Sequence, residues 1–133
     1  MTQLTNKTAV ITGGSSGIGF ETARQFIAAG ARVIITGQNE TRLAEAQEKL
    51  GPQAIAFKAD VRVLPDLDAL AQRVKAEFGQ LDIVFANAGV GAFAPLESID
   101  EAIYDKQFDI NVKGVFFTVQ KLAPLLKTGA SVI

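Results

Sequence analysis

Apolar residues in this chain fall into short runs separated by longer stretches where they recur every three or four positions, the pattern of strands alternating with amphipathic helices. Four runs read as strands: Thr8 to Ile11, Val33 to Thr36, Ala54 to Phe57 and Ile83 to Ala86. Between the first two, Ile18, Ala23, Phe26 and Ile27 share one predicted helix face, and Gly30 stands where a C-terminal cap belongs. A second helix is expected to start at an Asn39 cap, to bury Leu43, Ala46 and Leu50, and to stop at Gly51-Pro52. Pro65, with Asp66 and Asp68 in the opening turn, begins a third helix. Its inward face carries Leu67, Leu70, Val74 and Phe78, and Gly79 closes it. The fourth helix is predicted to open at Ser98-Ile99-Asp100-Glu101, a capping box in which Ser98 and Glu101 satisfy each other's backbone N–H groups. Its apolar positions Phe108, Val112, Val115, Phe116, Val119 and Leu122 run on to Pro124 and Gly129. Ala130 to Ile133 reads as the start of a fifth strand.

Regular alternation of strand and helix implies a parallel sheet with right-handed crossovers and helices on both faces. The chain is therefore expected to be α/β, a Rossmann-like doubly wound parallel sheet, truncated after the start of the fifth strand. The strand order should be 3-2-1-4, with the fifth outside the fourth. Residues 1–133 then form a single domain, incomplete at its C-terminal end. The fourth helix shows more than one apolar face, whereas packing on its own sheet needs about one stripe, so a second protein surface is expected against it. The phenylalanines Phe108, Phe116 and Phe117 belong to that core or interface.

In such a sheet, ligands sit at the carboxyl ends of the strands, beside the switch point between the first and fourth. The run Thr12-Gly13-Gly14-Ser15-Ser16-Gly17-Ile18-Gly19 lies there, directly after the first strand. Glycines at 13, 17 and 19 let the backbone approach a ligand closely, and a helix opening near Gly17 directs N–H groups and its positive dipole end at an anion. A dinucleotide pyrophosphate suits that place. No Gly-Lys-Ser/Thr follows, which disfavours a nucleoside-triphosphate loop. Asn87-Ala88-Gly89 follows the fourth strand at the same end of the sheet.

Composition narrows the chemistry. The formal net charge is -1 and the 13 basic residues are scattered, so neither a nucleic-acid face nor a polybasic membrane patch is expected. No apolar stretch reaches the roughly 18 residues that span a bilayer. The plain Met1-Thr2-Gln3 start leads to an expectation of a cytoplasmic protein. The absence of histidine and cysteine removes imidazole catalysis, thiolate nucleophiles, disulfides and most zinc sites, so no metal is expected.

Taken together, the motifs resemble the short-chain dehydrogenase/reductase family over essentially the whole chain. The family's Thr-Gly-x-x-x-Gly-x-Gly loop matches Thr12 to Gly19, its Asn-Ala-Gly matches Asn87 to Gly89, and its helix asparagine matches Asn111 within Asp109-Ile110-Asn111-Val112. Asp60-Val61 matches the pair after the third strand. The resemblance implies that Gly13 to Gly19 hold the cofactor pyrophosphate, with Ser15, Ser16, Gly17 and Ile18 lining it. It implies that Asp60 accepts from the adenine amino group while the Val61 backbone reads the ring edge. Asn87, Ala88 and Gly89 would pack beside the nicotinamide-side ribose, and Asn111 would bend its helix and hold a water through its main-chain carbonyl. A homo-oligomer and a small alcohol or carbonyl substrate are implied as well.

The chain also departs from the family. Family members use a serine after the fifth strand, and a tyrosine whose pKa is lowered by a lysine four residues on. None of these three is found in its expected place. Tyr104 lies on the wrong helix and is followed four residues later by Phe108. Asn111 is the one member of the catalytic tetrad that remains, and the chain alone is expected not to turn over. The expected function is therefore the cofactor-binding part of an NAD(P)-dependent oxidoreductase, the alternative being a non-catalytic dinucleotide-binding or regulatory module. A methyltransferase on a similar sheet would want an acid where Gln38 stands. The turn Ile35-Thr36-Gly37-Gln38-Asn39 carries neither the acid that selects NAD nor the arginine that many NADP-binding relatives place at Gln38. With Arg42 one turn further on, NADP(H) is expected slightly over NAD(H).

Overall fold

The computed structural model describes residues 3–133; Met1 and Thr2, where the leaderless start was read, lie outside the described residues. Strands β1 (Thr8–Ile11), β2 (Arg32–Gly37), β3 (Ala54–Lys58), β4 (Leu81–Phe85) and β5 (Leu126–Val132) form one sheet in the order β3-β2-β1-β4-β5. Every pairing is parallel. Between the strands run α1 (Gly17–Ala28), α2 (Glu40–Leu50), α3 (Leu64–Phe78), α4 (Glu101–Phe108) and α5 (Val115–Leu122). The α/β doubly wound sheet expected from the apolar pattern is thus the fold observed.

Alternation within β1 and β2 divides the core between the two faces of the sheet. Ala9, Ile11, Val33 and Ile35 join Ala23 of α1 and Leu43, Ala46 and Leu50 of α2 on one face. Val10, Ile34 and Val84 join Leu67, Leu70 and Val74 of α3 and Leu122 of α5 on the other. Both faces are covered, which explains why the central strands are apolar throughout rather than alternating with polar residues. Phe78 packs partly buried against the second layer, and the Arg32 guanidinium lies 5.0 Å from its ring centroid.

Several local expectations are corrected. The fourth helix does not start at Ser98: Leu96–Ser98 form one 3-10 turn, and the Asp100 carboxylate caps α4 by accepting from Ile103 N–H at 2.8 Å. Ser98 N–H is already committed to the Pro95 carbonyl, and Asp100 is an equally good cap two residues on. The long predicted helix does run on without a break from Glu101 to Leu122, but a π-helical turn over Asp109–Gly114 lies within it between α4 and α5. Ile18 does not join the buried face of α1; it stands 73% exposed on the first turn, before the helix packs down through Ala23, Phe26 and Ile27. Finally, β5 begins at Leu126 rather than Ala130, because a register irregularity opposite Leu81 to Ile83 lets the strand pass through Gly129, which had read as a stop.

The far end of the sheet from the glycine loop is tied by Asp82 of β4, whose side chain is 10% exposed. It accepts from Thr8 N–H at 2.9 Å and pairs with Lys7 and Lys127, each at 3.3 Å. Burial pushes its pKa up, but the Thr8 N–H and the two ammonium groups prevail and hold it below the ordinary carboxylate value.

Candidate functional site

The carboxyl ends of β1 to β4 meet in a cleft of about 220 Å³. Gly13 and Ser15 form one wall; Thr36, Gly37, Gln38 and Asn39, with Arg42 behind them, form the next. Ala59 and Val61 close the β3 side, and Ala88, Gly89, Val90 and Ile110 the β4 side. No carboxylate lines this cleft, and Arg42 makes no ion pair among the described residues.

The loop after β1 is held in shape by three neighbours. Gly14 N–H donates to the Thr36 carbonyl at 2.9 Å, tying the loop to β2. The Asn87 amide donates to the carbonyls of Thr12 and Gly13, both at 3.2 Å, and Ala88 N–H donates to the Thr12 hydroxyl at 3.0 Å. Asn87 is therefore a strut between the ends of β4 and β1. A side chain cannot be added at Gly19, because its Cβ would collide with the Gly13 carbonyl oxygen and fall 2.6 Å from the Asn87 Nδ2. Gly17, at φ +56°, takes the left-handed turn into the helix.

The opening of α1 differs from those of α2, α3 and α4. Asn39 caps α2 and Asp100 caps α4 by side-chain hydrogen bonds, and α2, α3 and α4 carry Glu40, Asp66 and Glu101 in their first turns. In α1, Ser16 occupies the cap position without a side-chain bond, and the first turn contains no acid. Its orphan N–H groups and positive end are left to an anion. A cradle closed to any Cβ at Gly19, beside an uncapped helix start, fits the diphosphate of a dinucleotide.

The predicted residues fall into three groups. Gly13, Ser15, Gln38, Val61, Ala88 and Gly89 line the cleft, while Ser16, Gly17, Ile18 and Gly19 form the helix opening beside it. Asp60 is not on the lining: its carboxylate meets Arg62, with Nη2 to Oδ2 at 2.7 Å and Nε to Oδ1 at 3.0 Å. That fork holds the Asp60 carboxyl below its usual range against the opposing effect of burial. Asn111 lies in the π-turn and grips the segment after β4, its amide donating to Val90 carbonyl at 2.8 Å and its oxygen accepting Val90 N–H at 2.9 Å.

Two hydroxyls contribute to the site through contacts that no sequence motif announces. Thr12 opens the glycine motif, and its hydroxyl also accepts from Ala88 N–H across the sheet. Thr36 lines the cleft at 1% exposure, and its hydroxyl has no hydrogen-bond partner among the described residues. For Thr36, position at the end of a strand is the only clue.

Comparison with known proteins agrees with this arrangement: the short chain dehydrogenase family matches residues 7–133. The chain belongs to the short-chain dehydrogenase family. Among curated members it is 48% identical to oxidoreductase asL5 of Sarocladium schorii, the match covering 98% of this chain and 53% of that one. It is 40% identical to galactitol 2-dehydrogenase of Agrobacterium fabrum, over 93% of this chain and 48% of that one. A solved short-chain dehydrogenase from Brucella melitensis, titled a glucose/ribitol dehydrogenase, superposes with a TM-score of 0.94 at 28% identity, covering 98% of this chain and 56% of its own. A 3-ketoacyl-(acyl-carrier-protein) reductase from the same organism, solved with NADH, gives 0.88 at 32% identity, covering 92% and 51%. The chain spans about half the length of these short-chain dehydrogenases. Among the described residues no helix is long and apolar enough to cross a membrane.

Proposed function

We propose that this chain is the dinucleotide-binding part of an NAD(P)-dependent oxidoreductase that interconverts a small alcohol and its carbonyl compound, and that it prefers NADP(H). The observation carrying the reading is the uncapped, acid-free start of α1 beside a loop that excludes a side chain at Gly19. In this reading the amides from Gly13 to Gly19 hold the diphosphate, Ala59 and Val61 flank the adenine, and Ala88 to Val90 flank the nicotinamide side. Asn87 and Asn111 keep those walls in place. When bound, the nicotinamide supplies or accepts the hydride. The residues that move the proton in this family match nothing within the 133, so the chain by itself binds cofactor without turnover.

Preference for the 2′-phosphate rests on electrostatics. The cleft presents the guanidinium of Arg42 and no carboxylate at the turn after β2, where an acid would repel a second phosphate. A charge-assisted contact of this kind is worth about tenfold in affinity. Fluorescence titration should therefore show NADPH binding about tenfold tighter than NADH, with the difference lost in Arg42→Ala. Failure to bind either, or tighter binding of NADH, would refute the reading.

The same reading places a second copy of the protein on the outer face of α4 and α5. Tyr104, Phe108, Val112 and Phe116 follow one another at every fourth position and are 53%, 48%, 55% and 61% exposed. Tyr104 and Phe108 stack with ring centroids 4.5 Å apart. A contiguous apolar strip of this kind is characteristic of an interaction surface. Sedimentation of a soluble monomer that remains monomeric at high concentration would contradict it.

A further inference from the structure

Three residues of the cleft wall lean on the π-helical turn Asp109–Gly114. Ile110, in its first half, lies on the lining itself. Asn111 holds Val90 of the lining by both its N–H and its carbonyl. Gly114, the last residue of the turn, is buried without lining the cleft, and it packs behind Val61, which does line it. A Cβ at Gly114 would lie 2.6 Å from Val61 Cγ2, 3.0 Å from Val61 Cβ and 3.3 Å from the Asp109 carbonyl oxygen. Alanine suits a helix better than glycine, so helix formation gives no reason for glycine here. The contact with Val61 does.

Neither partner has room to retreat from such a contact. Gly114 is pinned from the next turn, where the hydroxyl of Thr118, 1% exposed, donates to its carbonyl at 2.6 Å. Val61 is branched at Cβ and packs in one core layer with Val10, Ile34 and Ile110. It is 5% exposed, and the cleft is the open side toward which it can yield. A methyl group at 114 therefore drives Val61 into the cleft. Resting on the dinucleotide reading above, we propose that Gly114 is a positioning residue for the cofactor: lacking a side chain, it lets the π-turn seat against Val61 and keeps that wall clear of the ligand.

The test measures NADPH affinity by fluorescence titration on wild type, Gly114→Ala, Val61→Ala and the double variant, each confirmed as folded by circular dichroism. Gly114→Ala should weaken binding about tenfold. Val61→Ala removes the 2.6 Å contact and leaves space for the new methyl group, so in that background the same substitution should cost no more than about twofold. A purely structural glycine would lower stability and leave the affinity of the folded protein unchanged. Should Gly114→Ala fail to fold, backbone amide NMR of wild type decides the matter: the Gly114 amide should shift with NADPH at the same midpoint as Val61. Unchanged affinity in Gly114→Ala, an equal loss with and without the Val61 side chain, or a Gly114 amide unmoved at saturation would overturn the role of Gly114 while leaving dinucleotide binding intact. Failure of wild type to bind NADPH would instead overturn the parent reading and this one with it.

Discussion

Replacing Gly19 with alanine tests the cradle most sharply. The added Cβ would collide with the Gly13 carbonyl oxygen, fall 2.6 Å from Asn87 Nδ2 and lie 2.9 Å from the Gly13 carbonyl carbon. Two of these three groups are backbone. The third is pinned, because Asn87 Nδ2 bonds the carbonyls of Thr12 and Gly13 and cannot swing aside without losing both contacts. Overpacking of this kind costs about 2–3 kcal/mol, and loss of the Asn87 contacts adds about 1 kcal/mol. Alanine's better helix propensity returns about 1 kcal/mol. The net loss should be about 2–3 kcal/mol, a drop in Tm on the order of 6–12 °C for a chain of this size. Since the loop must open to admit the methyl group, affinity for NADPH should fall at least about tenfold. Gly17→Ala is the matched control: its Cβ would meet nothing within 4 Å, so only about 1–2 kcal/mol of left-handed backbone strain is expected. Urea denaturation together with NADPH titration reads both quantities. A Gly19→Ala protein within about 0.5 kcal/mol of wild type and with unaltered affinity would refute the close-approach reasoning.

Three further outcomes follow from the same structure. Thr36→Val replaces a buried, unpartnered hydroxyl with a methyl group of the same shape, and should raise stability in urea denaturation by about 1 kcal/mol; a loss of that size would show that the hydroxyl is satisfied. The lowered pKa of Asp82 means that its contribution is fully present above the unfolded carboxylate value near ~3.9 and is lost as pH falls through the lower folded value. Asp82→Asn should therefore lose about 1–2 kcal/mol at pH 7 and show a flatter acid limb than wild type, while parallel acid limbs would exclude this role. Asn111→Ala removes both bonds to the Val90 backbone, so hydrogen exchange at the Val90 amide should quicken about tenfold; unchanged protection there would mean the segment is held by something else.

The topology was legible because β1, β2 and β4 are buried on both faces and cannot be mistaken for alternating strands. Helix starts were legible where one polar residue faced no competitor, as at Asn39, and misread where two caps stood close together, as at Ser98 and Asp100. The π-turn over Asp109–Gly114 was hidden because apolar spacing alone cannot distinguish a four-residue from a five-residue hydrogen-bond ladder. At the site, glycines announce backbone conformation, so the loop from Gly13 to Gly19 was readable. The hydroxyls of Thr12 and Thr36 act through geometry set by strands far apart in sequence, so their contacts are not written locally even though Thr12 heads the glycine motif. Asp60 shows the same limit, since its motif was visible but its partner Arg62 was not.

The central claim is that the main-chain amides from Gly13 to Gly19 grip a dinucleotide diphosphate. Titration of the isotope-labelled chain with NADPH, followed by backbone amide NMR, addresses it directly. The account predicts the largest shifts at residues 13–19, with smaller ones at Ala59, Val61 and Ala88 to Val90. Saturable binding that left amides 13–19 unmoved and shifted another surface instead would contradict it.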